Sequence, residues 1–141
     1  MYRIGEVDGA EYAEELEALH NAVFAPAEAY MPDFADGYWW IAFAEDHPVA
    51  FIGIQQSTQG AHVGYFTRVG VIRTHRGNRL QLRLTRAMHA KARKVGWTNV
   101  VTDTRDNPHS ANNIAASGYR MFTPTSPWCR LEDTLYWKKD L

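Results

Sequence analysis

The spacing of apolar residues along this chain changes period several times, and each change marks an element. Tyr2, Ile4 and Val7 predict a short strand over Tyr2–Val7. From Ala10 to Phe24 the apolar residues Tyr12, Leu16, Leu19 and Val23 recur at helical spacing, with acids on the other face. Pro26 breaks that pattern, and Glu28 to Phe34 reads as a second short helix or as a loop. Tyr38–Glu45 and Pro48–Gln56 read as two strands joined by a tight turn at Asp46-His47. Ala61–Ile72 is a third long β run, after the turn Thr58-Gln59-Gly60. From Asn78 to Val95 the period becomes helical: Leu80, Leu84, Ala87, Met88, Lys91, Ala92 and Val95 follow one face, and Gly96 is a good stop. Trp97–Thr102 has the apolar character of a buried strand. Ser110–Ser117 is a shorter helix stopped by Gly118, and Tyr119–Phe122 and Thr134–Lys138 close the chain as strands around a proline-containing loop, Thr123 to Asp133. The order β-α-(α)-β-β-β-α-β-α-β-β predicts an α/β (α+β) fold. Its mixed, mostly antiparallel sheet is covered by helices.

Composition narrows the class. A chain of 141 residues, 45% apolar and 13% aromatic, is expected to form one globular domain spanning 1–141. The apolar run Trp39–Ala44 is far too short to cross a membrane, so no membrane partner is expected. The opening MYRIGEVDG has neither a basic start nor an apolar stretch of the signal-peptide kind. Cys129 is the only cysteine, which excludes an internal disulfide. Both features fit a cytoplasmic protein.

A net charge of −1 hides a split. Residues 1–60 hold eleven of the sixteen acids against Arg3 alone, and residues 61–141 hold the other fourteen bases. The acidic half is either a solvated face or a surface for a cationic ligand. The basic half suits an anionic ligand, because its charge gathers at one turn. Overall balance makes nucleic acid an unlikely partner.

That turn lies in Val71 to Leu84, VIRTHRGNRLQLRL. A β run ends, Arg76-Gly77-Asn78 turns the chain, and a helix begins. The first free amides of the helix therefore follow a strand directly, in a loop carrying Arg73, Arg76 and Arg79. Unpaired amides and the positive end of a helix dipole suit a phosphate or pyrophosphate.

With this turn, the chain resembles the GNAT superfamily of N-acetyltransferases over essentially its whole length. VIRTHRGNRLQLRL is similar to the family's acyl-CoA pyrophosphate loop, V-x-P-x-x-R-G-x-G-x-G/A. Val71, Arg76 and Gly77 match, while Arg79 and Gln81 stand where glycine, and glycine or alanine, are usual. Asn107-Pro108-His109-Ser110, with Gly118-Tyr119 eleven residues after Asn107, resembles the family's N-x-x-S/A…G-F/Y segment. The order of elements is the third point of resemblance.

The resemblance implies a GNAT-like sheet of about seven strands, with a splayed acyl-CoA cleft between the fourth and fifth strands, here Arg68 to Val71 and Val100 to Thr104. It implies acetyl-CoA as co-substrate and no metal. The amides of Arg76, Gly77, Asn78, Arg79, Leu80 and Gln81 would cradle the pyrophosphate. Val69 and Val71 would pair with the pantetheine arm, one of their amides polarising the thioester carbonyl, and Asn107 and Ser110 would touch that arm. Asn107 is equally suited to cap a helix.

Transfer from a thioester to an amine needs a neutral amine, a stabilised oxyanion and a proton for the thiolate. The family commonly places a tyrosine acid where this chain has Ile114, which leaves Ser110, Tyr119 or a water. Ala61–Ile72 holds no acid to serve as base, which leaves Asp103, Asp106, His109, His62 or a water chain. Catalytic candidates are therefore Val71, Ser110, Asp103 and His109. An acceptor pocket is expected among Phe24, Tyr30, Phe34, Trp39, Trp128 and Tyr136, with Glu28, Asp33 or Asp36 for charge. The reading is N-acetylation of a primary amine, on a small cationic metabolite or a peptide. The alternative is a catalytically weak acyl-CoA-binding module. Sheet edges in this fold often pair, so a homodimer is a further expectation.

Overall fold

The fold was taken from a computed structural model that describes residues 1–24, 30–129 and 131–141. Seven strands form one sheet: β1 (Tyr2–Val7), β2 (Tyr38–Ala44), β3 (His47–Gln56), β4 (Val63–Val71), β5 (Asn99–Arg105), β6 (Arg120–Phe122) and β7 (Thr134–Asp140). Their order across the sheet is β1-β2-β3-β4-β5-β7-β6, mostly antiparallel with a parallel β4–β5 pair. Three helices flank it: α1 (Ala13–Val23), α2 (Leu80–Val95) and α3 (Pro108–Ala116). This is the α/β architecture that the periodicities predict. Among the described residues no helix is long and apolar enough to cross a membrane.

Element ends moved where a side chain or a turn competed for the backbone. The first helix starts at Ala13 rather than Ala10, because Asp8 Oδ1 accepts the amides of Ala10 (3.0 Å) and Glu11 (3.1 Å). Such an Asx turn offers the backbone a local alternative to helix. The β2–β3 turn is Glu45-Asp46, one residue early: Glu45 takes φ 59° and His47 already pairs with Ala44. Trp97 and Thr98 precede β5. The Trp97 amide closes the end of α2 on the Ala92 carbonyl (3.0 Å), and the Thr98 amide donates to the His62 carbonyl (2.8 Å). Pro26, Glu28 and the rest of 25–29 lie outside the described residues. Beyond them no helix forms before Phe34; instead the Asp33 carboxylate and carbonyl accept the amides of Ala35 (3.0 Å) and Asp36 (3.1 Å).

Internal contacts divide the chain into two compact units, Met1–Gln55 with Thr67–Met88, and Gln56–Phe66 with His89–Leu141. The first unit is built on Leu16, Leu19, Phe34, Trp39, Ile41, Phe43 and Phe51, with Val7, Tyr12, Phe24 and Ile72 packed against them. Phe34 and Trp39, candidates for an acceptor pocket, are therefore core residues here, their rings edge to face at 4.7 Å.

In the second unit Phe66, Val100, Val101, Ile114, Tyr119 and Trp137 are buried. Within this apolar region His89 Nε2 lies 2.7 Å from the Tyr119 hydroxyl. Burial, with the Lys139 and Arg93 cations adding to it, pushes the His89 imidazole down to about 4, and burial raises the Tyr119 phenol well above its ordinary range. A neutral imidazole and a protonated phenol satisfy each other, which burial requires.

A folded-state value below the unfolded 6.5 means that acid protonates the unfolded chain first. The stability that His89 contributes is complete above pH 6.5 and is lost as the pH falls from there towards about 4. At pH 5 the loss should be about 1–2 kcal/mol relative to pH 7. Urea unfolding of the double variant His89→Phe/Tyr119→Phe, which leaves neither partner orphaned, should show a smaller drop between pH 7 and pH 5 than the parent chain. An equal drop would remove His89 from the acid response.

Candidate active site

The sequence-predicted site residues fall in both units. In the first, β4 alternates around Gly70, where an added Cβ would meet Phe51 Cε1 at 2.8 Å and the Val23 methyls at 3.1 Å. Gly70 therefore faces the core, and Val69 and Val71, both partly exposed, face the other way. After β4 the Ile72 amide bonds the Val49 carbonyl (2.9 Å), and one 3-10 turn, Arg73–His75, is closed by the amides of His75 (2.9 Å) and Arg76 (3.3 Å).

The next residues are those expected to cradle a pyrophosphate. Gly77 (φ 83°) and Arg79 (φ 60°) both take left-handed backbone, and α2 begins at Leu80, two residues after the expected Asn78. Arg76 Nε donates to the Val71 carbonyl (3.3 Å), and Asn78 Nδ2 to the His75 carbonyl (3.0 Å), which ties the turn together. Leu80 is buried, whereas Arg73, Arg76, Asn78 and Arg79 are exposed and Gln81 is partly so. The first bond of the helix runs from the Arg83 amide to the Arg79 carbonyl (3.1 Å), so the amides of Leu80, Gln81 and Leu82 precede any intrahelical acceptor. No acid stands in that first turn. A Cβ on Gly77 would find nothing within 4 Å, which leaves open space at the bend. The glycine missing at Arg79 is thus missing in residue type only; the backbone keeps the glycine conformation.

One polar pair in this unit was not anticipated. Arg68, on the Gly70 side of β4, puts NH1 3.1 Å from His20 Nε2 and its guanidinium carbon 5.2 Å above the Phe24 ring. Burial first, and Arg68 second, lower the His20 pKa, and His20 Nδ1 has no hydrogen-bond partner among the described residues. The signal was present: His20 sits four residues after Leu16, on the apolar stripe of α1.

In the second unit Asn107 is the N-cap of α3, its Oδ1 accepting the Ser110 amide at 3.0 Å, with Pro108 in the first turn. Asp106 does not cap that helix; it takes φ 50° just before it. His109 is exposed, its Nε2 3.4 Å from Asn113 Nδ2. Ile114 is buried, so the position of the usual tyrosine acid is an apolar core position. Tyr119 is held by His89, as a core aromatic would be. Asp103 Oδ2 accepts two hydrogen bonds, from the Tyr65 hydroxyl (2.8 Å) and from Trp128 Nε1 (2.9 Å). Sequence reading passed over Tyr65, although period-two counting back from Val71 through Val69 reaches it. Cys129 is a loop thiol within 3.4 Å of the Thr134 hydroxyl, and its carbonyl accepts the Tyr136 hydroxyl at 2.8 Å. Tyr30 is almost fully exposed, and Asp33 and Asp36 serve their own turn, Asp36 also accepting Trp39 Nε1 at 2.8 Å.

A strand, a left-handed turn bearing arginines and a helix whose first amides lack an intrahelical acceptor thus follow one another in the chain. The sequence profile of the acetyltransferase (GNAT) family matches residues 9–119, and the chain belongs to that family. Among solved structures, a GNAT-family acetyltransferase from Staphylococcus aureus superposes with a TM-score of 0.79 at 16% identity, covering 99% of both chains. An acetyltransferase from Streptococcus agalactiae gives 0.79 at 19% identity, over 99% of this chain and 98% of the other. The ribosomal-protein-S18-alanine N-acetyltransferase of Escherichia coli gives 0.74 at 11%, over 99% and 94%. At these identities the likeness is one of fold. No curated protein matches the sequence.

Removing the Asn107 cap should cost about 1 kcal/mol, because one orphan amide of α3 loses its acceptor. Asn107→Ala is expected to lower the urea midpoint, and Asn107→Ser to restore most of the loss. Equal loss in both variants would mean that the side chain does more than cap.

Proposed function

We propose that this protein is an N-acetyltransferase that moves the acetyl group of acetyl-CoA to a primary amine by direct attack on the thioester. The observation that carries the reading is the turn after β4. Gly77 and Arg79 are left-handed, the amides of Leu80, Gln81 and Leu82 precede any intrahelical acceptor, no acid stands in the first turn of α2, and the same short segment carries Arg73, Arg76 and Arg79. Amides, dipole and guanidinium groups together suit a pyrophosphate. The family match spans both compact units, which supports their acting as one domain.

In the proposed reaction the neutral amine adds to the carbonyl carbon, and the amide of Val71 or Val69 stabilises the oxyanion. The C–S bond then breaks, the amine proton leaves to a base, and the thiolate takes up a proton to give free CoA. Asn107 and Ser110 are proposed to contact the pantetheine arm. Ser110, or a water, is the proposed proton donor, and His109, Asp103 or a water chain the acceptor. A second reading, a catalytically weak acyl-CoA-binding module, is favoured by one observation: Ile114 is packed in the core where relatives offer a phenol.

Calorimetry with acetyl-CoA should show saturable binding. Arg76→Ala/Arg79→Ala should weaken it at least about tenfold, the worth of one charge-assisted hydrogen bond. Absence of binding would overturn the donor assignment. Thiol release over a panel of amines then separates the readings, since turnover with any amine excludes the binding module.

A further inference from the structure

The second unit carries one arrangement that stands apart from the turn after β4. Tyr65, Asp103, Phe122 and Tyr136 share a face of the sheet within the second unit. Tyr65 pairs with Val101, two residues before Asp103; Asp103 pairs with Tyr136, and Tyr136 with Phe122. Strand periodicity puts all four side chains on the same side. Trp128, from the loop before β7, sits among them. Its ring stands edge to face with Tyr136 (4.7 Å, 82°) and Tyr65 (6.2 Å, 70°), and is tilted against Phe122 (6.2 Å). Every member is partly exposed, so solvent-borne molecules reach the group.

The carboxylate at the centre is half used. Both donors, Tyr65 and Trp128, bind Oδ2, while Oδ1 accepts no hydrogen bond among the described residues. No described cation pairs with Asp103 either. On this same face Arg105 Nε donates to the Glu132 carbonyl (3.0 Å), and Lys138 Nζ lies 5.3 Å over the Phe122 ring. A carboxylate fixed by two donors, with one free oxygen and aromatic rings standing around it, has the chemistry that holds an organic ammonium.

We propose that Asp103, walled by Tyr65, Trp128 and Tyr136, binds an ammonium group of the acceptor, and that this ammonium is not the nitrogen that is acetylated. The second half follows from charge: an amine ion-paired with a carboxylate holds its proton more tightly, and a protonated amine has no lone pair for attack. The acceptor is therefore at least bifunctional, with one cationic nitrogen held at Asp103 and a second, neutral amine left for acetylation, as in an α,ω-diamine. A carboxylate that holds an ammonium is a binding residue, so of the proton acceptors proposed above this leaves His109 or a water chain. This inference rests on the N-acetyltransferase reading for the fate of the second amine, but not for the binding itself.

Binding is tested on the full chain by following the Trp128 indole N–H resonance, identified by its loss in Trp128→Phe. Titration with 1,4-diaminobutane or butylamine should shift it saturably, 1-butanol should not, and Asp103→Asn should abolish the shift while still binding acetyl-CoA. In turnover the diamine should be acetylated, whereas butylamine should inhibit competitively and be acetylated at least about tenfold more slowly. No ammonium-dependent shift, or the same shift in Asp103→Asn, overturns the site. Equal acetylation of both amines overturns the bifunctional acceptor. Failure of acetyl-CoA to bind would instead overturn the donor reading, and the indole shift would still report on Asp103.

Discussion

The passage from β4 into α2 depends on two left-handed residues in a row of three, Gly77 and Arg79, which turn the chain. Glycine accepts that backbone at little cost, but an arginine gives up about 1 kcal/mol to hold it. The next residue decides the balance. Leu80 is buried at the start of α2, and burying a leucine contributes about 1.5–3 kcal/mol, more than the turn costs. Packing of the helix thus holds Arg79 in a conformation it would not choose alone. The outcome is a bend with open space at Gly77, free amides ahead of Arg83, and guanidinium groups left in water.

Polar groups elsewhere in the fold differ chiefly in their access to solvent. His89 and Tyr119 satisfy one another out of water, and each is pushed towards its neutral form by burial. His20 is also buried and pushed towards neutrality, beside a guanidinium that itself lies over Phe24. Asp103 also pairs with a tyrosine hydroxyl, which donates to it, but it is partly exposed and one of its oxygens has no donor among the described residues. Similar hydrogen bonds therefore serve packing in one place and leave room for a ligand in the other.

Most strands and helices were legible because they are long enough for their period to show. Their ends were less so, since end positions depend on single competing bonds: the Asp8 carboxylate holds back α1, and the Trp97 amide is taken by the end of α2. The donor turn was legible because all of its parts are consecutive in the chain. Even Arg79, which stands where glycine is usual, takes a left-handed backbone that glycine adopts readily. The aromatic residues were less informative. Phe34, Trp39 and Trp128 look alike as candidates for an acceptor wall, but the first two are sealed in the core while Trp128 donates to Asp103.

By itself, the sequence determined the order of elements, the family, and the position of the arginine-bearing turn between β4 and α2, because periodicity and local motifs act over a few residues. Only the tertiary structure decided which aromatic rings are core, that Ile114 lies buried where an acid would be useful, and that Tyr65 and Trp128 meet on one oxygen of Asp103. Those residues are brought together by the short parallel ladder from Val63 to Tyr65 and by the β5–β7 register. Strand register is set by packing between segments far apart in the chain, and a shift of one residue would turn every one of these side chains to the other face.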